Sequence, residues 1–327
     1  MPITAENKKE GVENMKTLEK LATKKTTMAC LNTVRVNRGM AMATDLDNWI
    51  ASPTTLPDGL YSGAGVNSGS PIISAIDPAD LPIVPSLGEL NKIHSTFARE
   101  TVLRDIAWIA KAMSDDYNRY ALNGMFFAKN GDIVATDGHR LHMLKGFHGH
   151  SGVIIPANTI DLLLAMVKED KSTKHVSMYT YKDYVVFHVG ESTLTCKPID
   201  GSFPNYTAVI PEKNPNKAQL DVTEIQAIAK RVKLLVKAYN VGKHSTYAHT
   251  IAINGAGTAT WASGSQVDDT PPVIETMPCS MKLKTVTGFN VHYLADALSG
   301  TVSYDCAKSP IRIDNGNLTA VIMPVRL

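Results

Sequence analysis

The chain has 327 residues, 44% apolar and 20% charged, with 33 Lys and Arg against 31 Asp and Glu for a formal charge of +2. That make-up fits a chain with a sizeable core divided among two or three domains, and it excludes polyanionic and histone-like disordered classes. Nucleic-acid binding stays open, because acids elsewhere can offset a local basic stripe.

The segment up to Thr27 has six lysines against four glutamates and no apolar signal core. The longest apolar runs, such as Leu162 to Val167, fall far short of the roughly 20 residues that span a bilayer. A cytoplasmic protein without a membrane partner is expected. Cys30, Cys196, Cys279 and Cys306 are dispersed, with no C-x-x-C pair, which predicts free thiols and neither a disulfide framework nor a zinc site. No cofactor is expected, since the sequence also lacks a P-loop and a G-x-G-x-x-G string.

A repeat organises the chain. The run from Leu31 to Asp45, LNTVRVNRGMAMATD, returns as LNGMFFAKNGDIVATD from Leu122 to Asp137 and more faintly as IAINGAGTAT from Ile251 to Thr260. Each is a strand, a tight turn rich in Gly and Asn, and a second strand. A second element recurs in the same order, with AIDPADLP ending at Pro82 and PIDGSFP ending at Pro204. The stretch between Trp49 and Pro71 is turn-rich, and it is expected to be too short for the second helix and strands of a full unit. The implied domains are 1–92, 93–212 and 213–327.

Helical periodicity fills the intervals. Leu103, Ile106, Ala110 and Met113 predict one apolar face, and Ile160, Leu163, Leu164 and Val167 predict another after Pro156. Asp221 to Glu224 has capping-box spacing, followed by Ile225, Ile228, Ala229, Val232, Leu235, Val236 and Tyr239 at helical period. Asn290 is the expected cap of a helix carrying Val291, Leu294, Ala295 and Leu298. Tyr184 to Val189 and Thr301 to Tyr304 read as strands. The fold class is α+β, with hairpin-rich antiparallel sheets.

Four strings in order, ATDGHRL (Ala135 to Leu141), PIDGSFPNY (Pro198 to Tyr206), GFNVHYLADAL (Gly288 to Leu298) and VIMPVRL (Val321 to Leu327), give the chain a resemblance to the bacterial β sliding clamps, processivity subunits of the replicative DNA polymerase. The resemblance implies three repeated clamp units with sheets outside and helices inside, and a homo-oligomeric ring of two chains around duplex DNA. It implies a non-catalytic accessory subunit that meets DNA polymerase and a clamp loader through short linear motifs. The alternative, which the short first unit favours, is a clamp-like partner-binding protein that closes no ring.

By matched position, the peptide pocket of such a clamp falls here on Leu122, Thr136, Gly138, His139, Arg140, Leu141, Pro204 and Val209. Its other side falls on Val321, Met323, Pro324, Val325, Arg326 and Leu327. An apolar cleft with a few polar groups suits a peptide anchor, and Met323 supplies an adaptable wall. Ala208 departs from the arginine often found there. Asp137, His139 and Arg140 offer no nucleophile motif or metal spacing, so Asp137 is expected to bond local amides while Gly138 frees the backbone. The DNA-facing candidates are Gln226, Lys230, Lys233 and Lys237 on one helical face, with Arg104, Trp108 and Lys111 on another. Between Asp221 and Lys243 five bases face two acids. Such lysines would meet phosphates without reading bases.

Overall fold

The computed structural model describes residues 15–22, 28–69, 93–146, 152–181, 183–212, 214–220, 222–238, 250–254, 256–263, 273–278, 281–283, 286–305 and 308–325. Cys279, Cys306, Asp221, Tyr239, Arg326 and Leu327 lie outside them, as do the side chains of Glu224, Val232, Lys233, Leu235, Val236 and Lys237. The chain forms two compact units. The first takes Met1–Ala110, Gly124–Gly131 and Phe147–Gly201; the second takes Lys111–Asn123, Asp132–Gly146 and Ser202–Leu327.

In the first unit, strands β1 (Thr33–Asn37), β2 (Met40–Thr44), β3 (Asn48–Pro53), β4 (Gly59–Ser62), β5 (Ile93–Ala98), β10 (His175–Tyr181), β11 (Tyr184–Val189) and β12 (Ser192–Cys196) form one antiparallel sheet, in the order β4-β1-β2-β3-β12-β11-β10-β5. A further pair, β6 (Gly124–Phe127) and β9 (Val153–Pro156), belongs to the same unit. The β1–β2 turn has Arg38 at φ 51 and Gly39 at φ 74, the doubly positive geometry that matches strand twist in two-residue hairpins. The stretch after Trp49 is more ordered than its turn-rich composition implies. It holds the rest of β3, and β4 returns to pair with β1. The sequence signal was weak because β4 is four residues long and lies between Pro and Gly turns.

Helix α1 (Lys16–Ala22) buries Leu18, Leu21 and Ala22 and packs on helix α2 (Ala157–Glu169). The α2 residues expected inside, Ile160, Leu163, Leu164 and Val167, are buried. The Glu169 carboxylate holds the start of α1, accepting from the Lys16 amide at 2.7 Å, the Thr17 amide at 3.1 Å and the Thr17 hydroxyl at 2.5 Å. Two of the amides that a helix start leaves unpaired thus find a partner distant in sequence.

A helical run follows β5: an α turn at Arg99–Thr101, a π turn at Val102–Ile106 and an α turn at Ala107–Ala110. The expected face of Leu103, Ile106, Ala110 and Met113 is displaced. Val102, Ile106, Trp108 and Ile109 are buried, and the helix ends before Met113. A π turn inserts a residue into the helical ladder and rotates the face that follows, which α-helical periodicity does not anticipate. Phe97 and Phe127 meet edge to face at 6.2 Å in the core of this unit.

In the second unit, β7 (Ile133–Thr136), β8 (Arg140–Leu144), β13 (Asn216–Leu220), β18 (Gly300–Tyr304), β19 (Ile311–Asn315) and β20 (Leu318–Ile322) pair in the order β13-β18-β19-β20-β8-β7. A separate sheet runs β16-β15-β14-β17, from β14 (Thr250–Ile253), β15 (Thr258–Ser263), β16 (Val273–Pro278) and β17 (Thr287–Asn290). The third hairpin of the repeat is β14–β15, its turn closed by Asn254, which accepts from the Ala256 and Thr258 amides. Helix α3 (Thr223–Ala238) buries Ile225, Ile228 and Ala229 and packs on helix α4 (Val291–Asp296). Asn290 caps α4 as expected, accepting from the His292 amide at 2.9 Å and the Tyr293 amide at 3.4 Å. Among the described residues, no helix is long and apolar enough to cross a membrane.

The Glu169 cap makes the docking of α1 testable. Glu169→Ala should accelerate amide hydrogen exchange of residues 16–22 about tenfold, as expected for a lost helix cap, and leave exchange in β19 and β20 unchanged. The check is exchange read by mass spectrometry.

Candidate functional site

The turn between β7 and β8 is built by Thr136 and Asp137. The Thr136 hydroxyl donates to the Arg140 carbonyl at 2.6 Å and accepts from the Gly138 amide at 3.1 Å. One Asp137 oxygen accepts from the His139 and Arg140 amides, each at 2.9 Å. Gly138 sits at φ +88, where a Cβ is strained, so this glycine is required by the turn. Both expectations, Asp137 on local amides and Gly138 as backbone freedom, hold.

The first hairpin ends in the same device. Thr44 accepts from the Leu46 amide at 2.9 Å, and Asp45 accepts from the Asp47 amide at 3.2 Å and the Asn48 amide at 2.8 Å. Leu46, at φ 77, takes the left-handed place that Gly138 fills. The Ala-Thr-Asp match is therefore a repeat of hydrogen bonding as well as of letters. In both copies the third residue after the Asp ties the turn to a helix later in the chain. Asn48 donates to Asp45 and accepts from the Thr159 hydroxyl of α2 at 2.6 Å. Arg140 donates to Asp137 at 3.1 Å and to Asp296 of α4 at 2.7 Å.

Arg140 is held on every side. Nη2 donates to the Lys111 carbonyl, and the guanidinium lies over the Tyr293 ring, 4.4 Å from its centroid. Its side chain is only 12% exposed. Lys111 reaches Asp296 at 3.2 Å. Burial alone would raise the Asp296 carboxyl, but the Arg140 hydrogen bond and the Lys111 charge outweigh it and hold it below the ordinary value. Burial, then the charge of Asp137, pushes the Tyr293 phenol up.

Strand β20 lies on β8 with Val321 opposite Leu141 and Ile322 opposite Arg140. The ladder runs on past both strands, since the Met323 amide donates to the His139 carbonyl at 2.9 Å. The Val325 amide donates to the Gly288 carbonyl at 2.8 Å, at the start of the Gly288–Leu298 string. The structure thus joins Thr136, Gly138, His139, Arg140 and Leu141 to Val321, Met323, Pro324 and Val325. Leu141 and Val321 are buried, whereas His139 is exposed and Met323 is 40% exposed. Leu122 is buried at the end of a 3-10 turn, Tyr117–Leu122, whose Arg119 donates to the Asp137 carbonyl at 3.2 Å. Pro204 and Val209 are exposed and flank Tyr206. The Tyr206 hydroxyl donates to Asp132 at 2.9 Å, which fixes this segment at the end of β7 remote from Thr136.

Arg119, Tyr293 and Asp296 escaped the sequence reading of the site. A hint existed for the latter two, which fall on one helical face after the Asn290 cap. Among the described residues, no group of three His, Cys, Asp or Glu could hold a metal.

The cationic candidates divide. Lys230 is exposed on α3, opposite buried Ile228 and Ala229. The Gln226 side chain is drawn back, its Nε2 donating to the Ala295 carbonyl at 3.1 Å. Arg104 is exposed but pairs with its neighbour Asp105 at 2.6 Å, and Lys111 is engaged by Asp296. Trp108 is buried, correcting its placement beside Arg104 and Lys111, because the π turn rotates it inward. In the first unit Lys16, Lys20, Lys168 and Lys171 line a cleft of about 730 Å³ with Glu169 and Asp170. Glu169 is occupied by the cap of α1, and Asp170 accepts from Ser172 and Thr173.

A carboxylate depressed by folding contributes stability that is complete above its unfolded value and lost as pH falls through the folded one. The ordinary value for Asp296 is 3.8. The stability difference between the natural chain and Asp296→Asn should therefore stay constant from about pH 7 to about pH 5 and narrow only in stronger acid. Denaturant unfolding across that range checks it.

The family model described as DNA polymerase III beta subunit, central domain, matches residues 96–205. The chain is 26% identical over 271 residues to the beta sliding clamp of Rickettsia felis, spanning 75% of this chain and 70% of the relative. It is also 26% identical over 274 residues to the beta sliding clamp of Escherichia coli K12, spanning 78% and 71%. Its fold matches the crystal structure of the C. crescentus beta sliding clamp with a TM-score of 0.78 at 20% identity, over 98% of both chains. The ordered motifs, the repeated Thr-Asp turn and these likenesses converge on one statement: the chain has the fold of the bacterial beta sliding clamps and is similar to them in sequence, with the central-domain model matching residues 96–205.

Proposed function

We propose that this chain is a DNA sliding clamp: a processivity factor that closes a homodimeric ring on duplex DNA and tethers a DNA polymerase through a peptide pocket. The carrying observation is the joint formed in the second unit, where an exposed loop at Gly138 and His139 is fastened to Met323 beside buried Leu141 and Val321. Apolar floor, adaptable Met and exposed polar edge are the parts that capture a short apolar-aromatic motif. The pocket is read on Leu122, Thr136, Gly138, His139, Arg140, Leu141, Pro204, Val209, Val321, Met323, Pro324 and Val325, with Arg326 and Leu327 following in sequence. A clamp loader uses the same pocket. The units 1–92, 93–212 and 213–327 serve as the three clamp domains.

DNA is held without base reading. Lys230, with Lys233 and Lys237 at the same helical spacing, offers one cationic face, and the lysines around the α1–α2 cleft offer another. Arg104 and Lys111 contribute less, since each is paired to a carboxylate. Contacts of this kind are weak and sensitive to salt, so retention on DNA comes from topology. No bond is made or broken by this chain. The role asks for no nucleophile, base or metal, and it is that of an accessory subunit rather than an enzyme.

The test is topological. The chain should run as a dimer in light scattering and stay on nicked circular DNA through gel filtration at about 0.15 M salt, where screening weakens open contacts. It should be lost when that circle is linearised. Equal loss from circle and line, or a monomer in solution, would favour the partner-binding reading without a ring.

A further inference from the structure

We infer that Asp296 is a positioning residue for the peptide pocket, acting through Arg140; the inference rests on the pocket reading above. Arg140 lies beside the exposed Gly138–His139 edge, and it is natural to give its charge to the ligand. The geometry assigns that charge elsewhere. Nε goes to Asp137 at 3.1 Å, Nη1 to Asp296 at 2.7 Å, Nη2 to the Lys111 carbonyl, and the guanidinium plane lies over Tyr293. A guanidinium engaged at three nitrogens and one face, with little exposure, acts as a strut.

The strut has a defined path. Asp296, the last residue of α4, holds Arg140. Arg140 holds Asp137 from the side chain while its own amide donates to the same carboxylate. Asp137 fixes the His139 amide, and the His139 carbonyl receives the Met323 amide. Each link is a short polar contact, and charged links are the stronger class. The position of Met323 is therefore set from α4 without any contact between Asp296 and the ligand. The first hairpin supports this independently. There Asn48 occupies the place of Arg140 and ties its Thr-Asp turn to Thr159 of α2. Anchoring the turn to a later helix is a repeated device, and the second copy carries it out with charge.

A specificity follows. With the Arg140 charge taken up by Asp137 and Asp296, an acidic side chain in the ligand gains no ion pair at this edge. The pocket favours motifs that enter by apolar and amide groups.

The test uses the full chain and a fluorescein-labelled peptide containing Gln followed by apolar and aromatic residues, with binding read by anisotropy. Asp296→Asn should weaken binding about tenfold, the size of a lost charged hydrogen bond, and Asp296→Glu should restore most of it. In an Arg140→Met background Asp296→Asn should add nothing, since the strut is already cut. Hydrogen exchange of 318–325 provides a readout without ligand: Asp296→Asn should speed exchange at Met323 while exchange in β19 is unchanged. Unaltered peptide binding and unaltered Met323 exchange in Asp296→Asn would overturn the inference, as would an equal loss in the Arg140→Met background. If the natural chain binds no such peptide, the pocket reading fails, and Met323 exchange alone still decides the positioning role.

Discussion

The pairing of β20 with β8 is the constraint on which the second unit depends. Strands far apart in sequence meet in one register, Leu318 on Leu144 through Ile322 on Arg140. Every residue of β20 is buried, so both of its faces are packed, and a slip of one residue would exchange the two sets of side chains. The ladder carries on past the strand ends: Met323 arrives at His139 and Val325 at Gly288.

The Thr-Asp turn supplies the other half of the joint. Its own hydrogen bonds are local, and two copies share the amide contacts to the Thr hydroxyl and to the Asp carboxylate. What differs is the residue three places after the Asp and the helix it reaches. A neutral Asn meets a Thr hydroxyl in one copy, and an Arg meets a carboxylate in the other. The turn is the repeated part, and its anchor is the part free to specialise.

Local features were legible in the sequence. The Arg38–Gly39 turn, the Asn290 cap, the α2 apolar face and the Asp137 amide contacts follow from residues a few places apart, and each formed as expected. Features decided by distant partners were not. Trp108 was misplaced because one π turn rotates its helix, and β4 was overlooked because its signal is only its pairing with β1. Gln226 reads as a surface polar residue until the Ala295 carbonyl is placed beside it. Arg119 and Asp296 carry ordinary surface letters, and only the fold brings them to the Gly138 loop.

The central claim is that one ligand-binding surface is assembled from the β7–β8 turn and the residues after β20. Hydrogen exchange of the full chain, with and without a saturating Gln-apolar-aromatic peptide, tests it most directly. The account predicts that the peptide slows exchange in 136–141 and in 320–325 together, with β1 and β2 unchanged. Protection confined to one of these segments, or found only in the first unit, would contradict it.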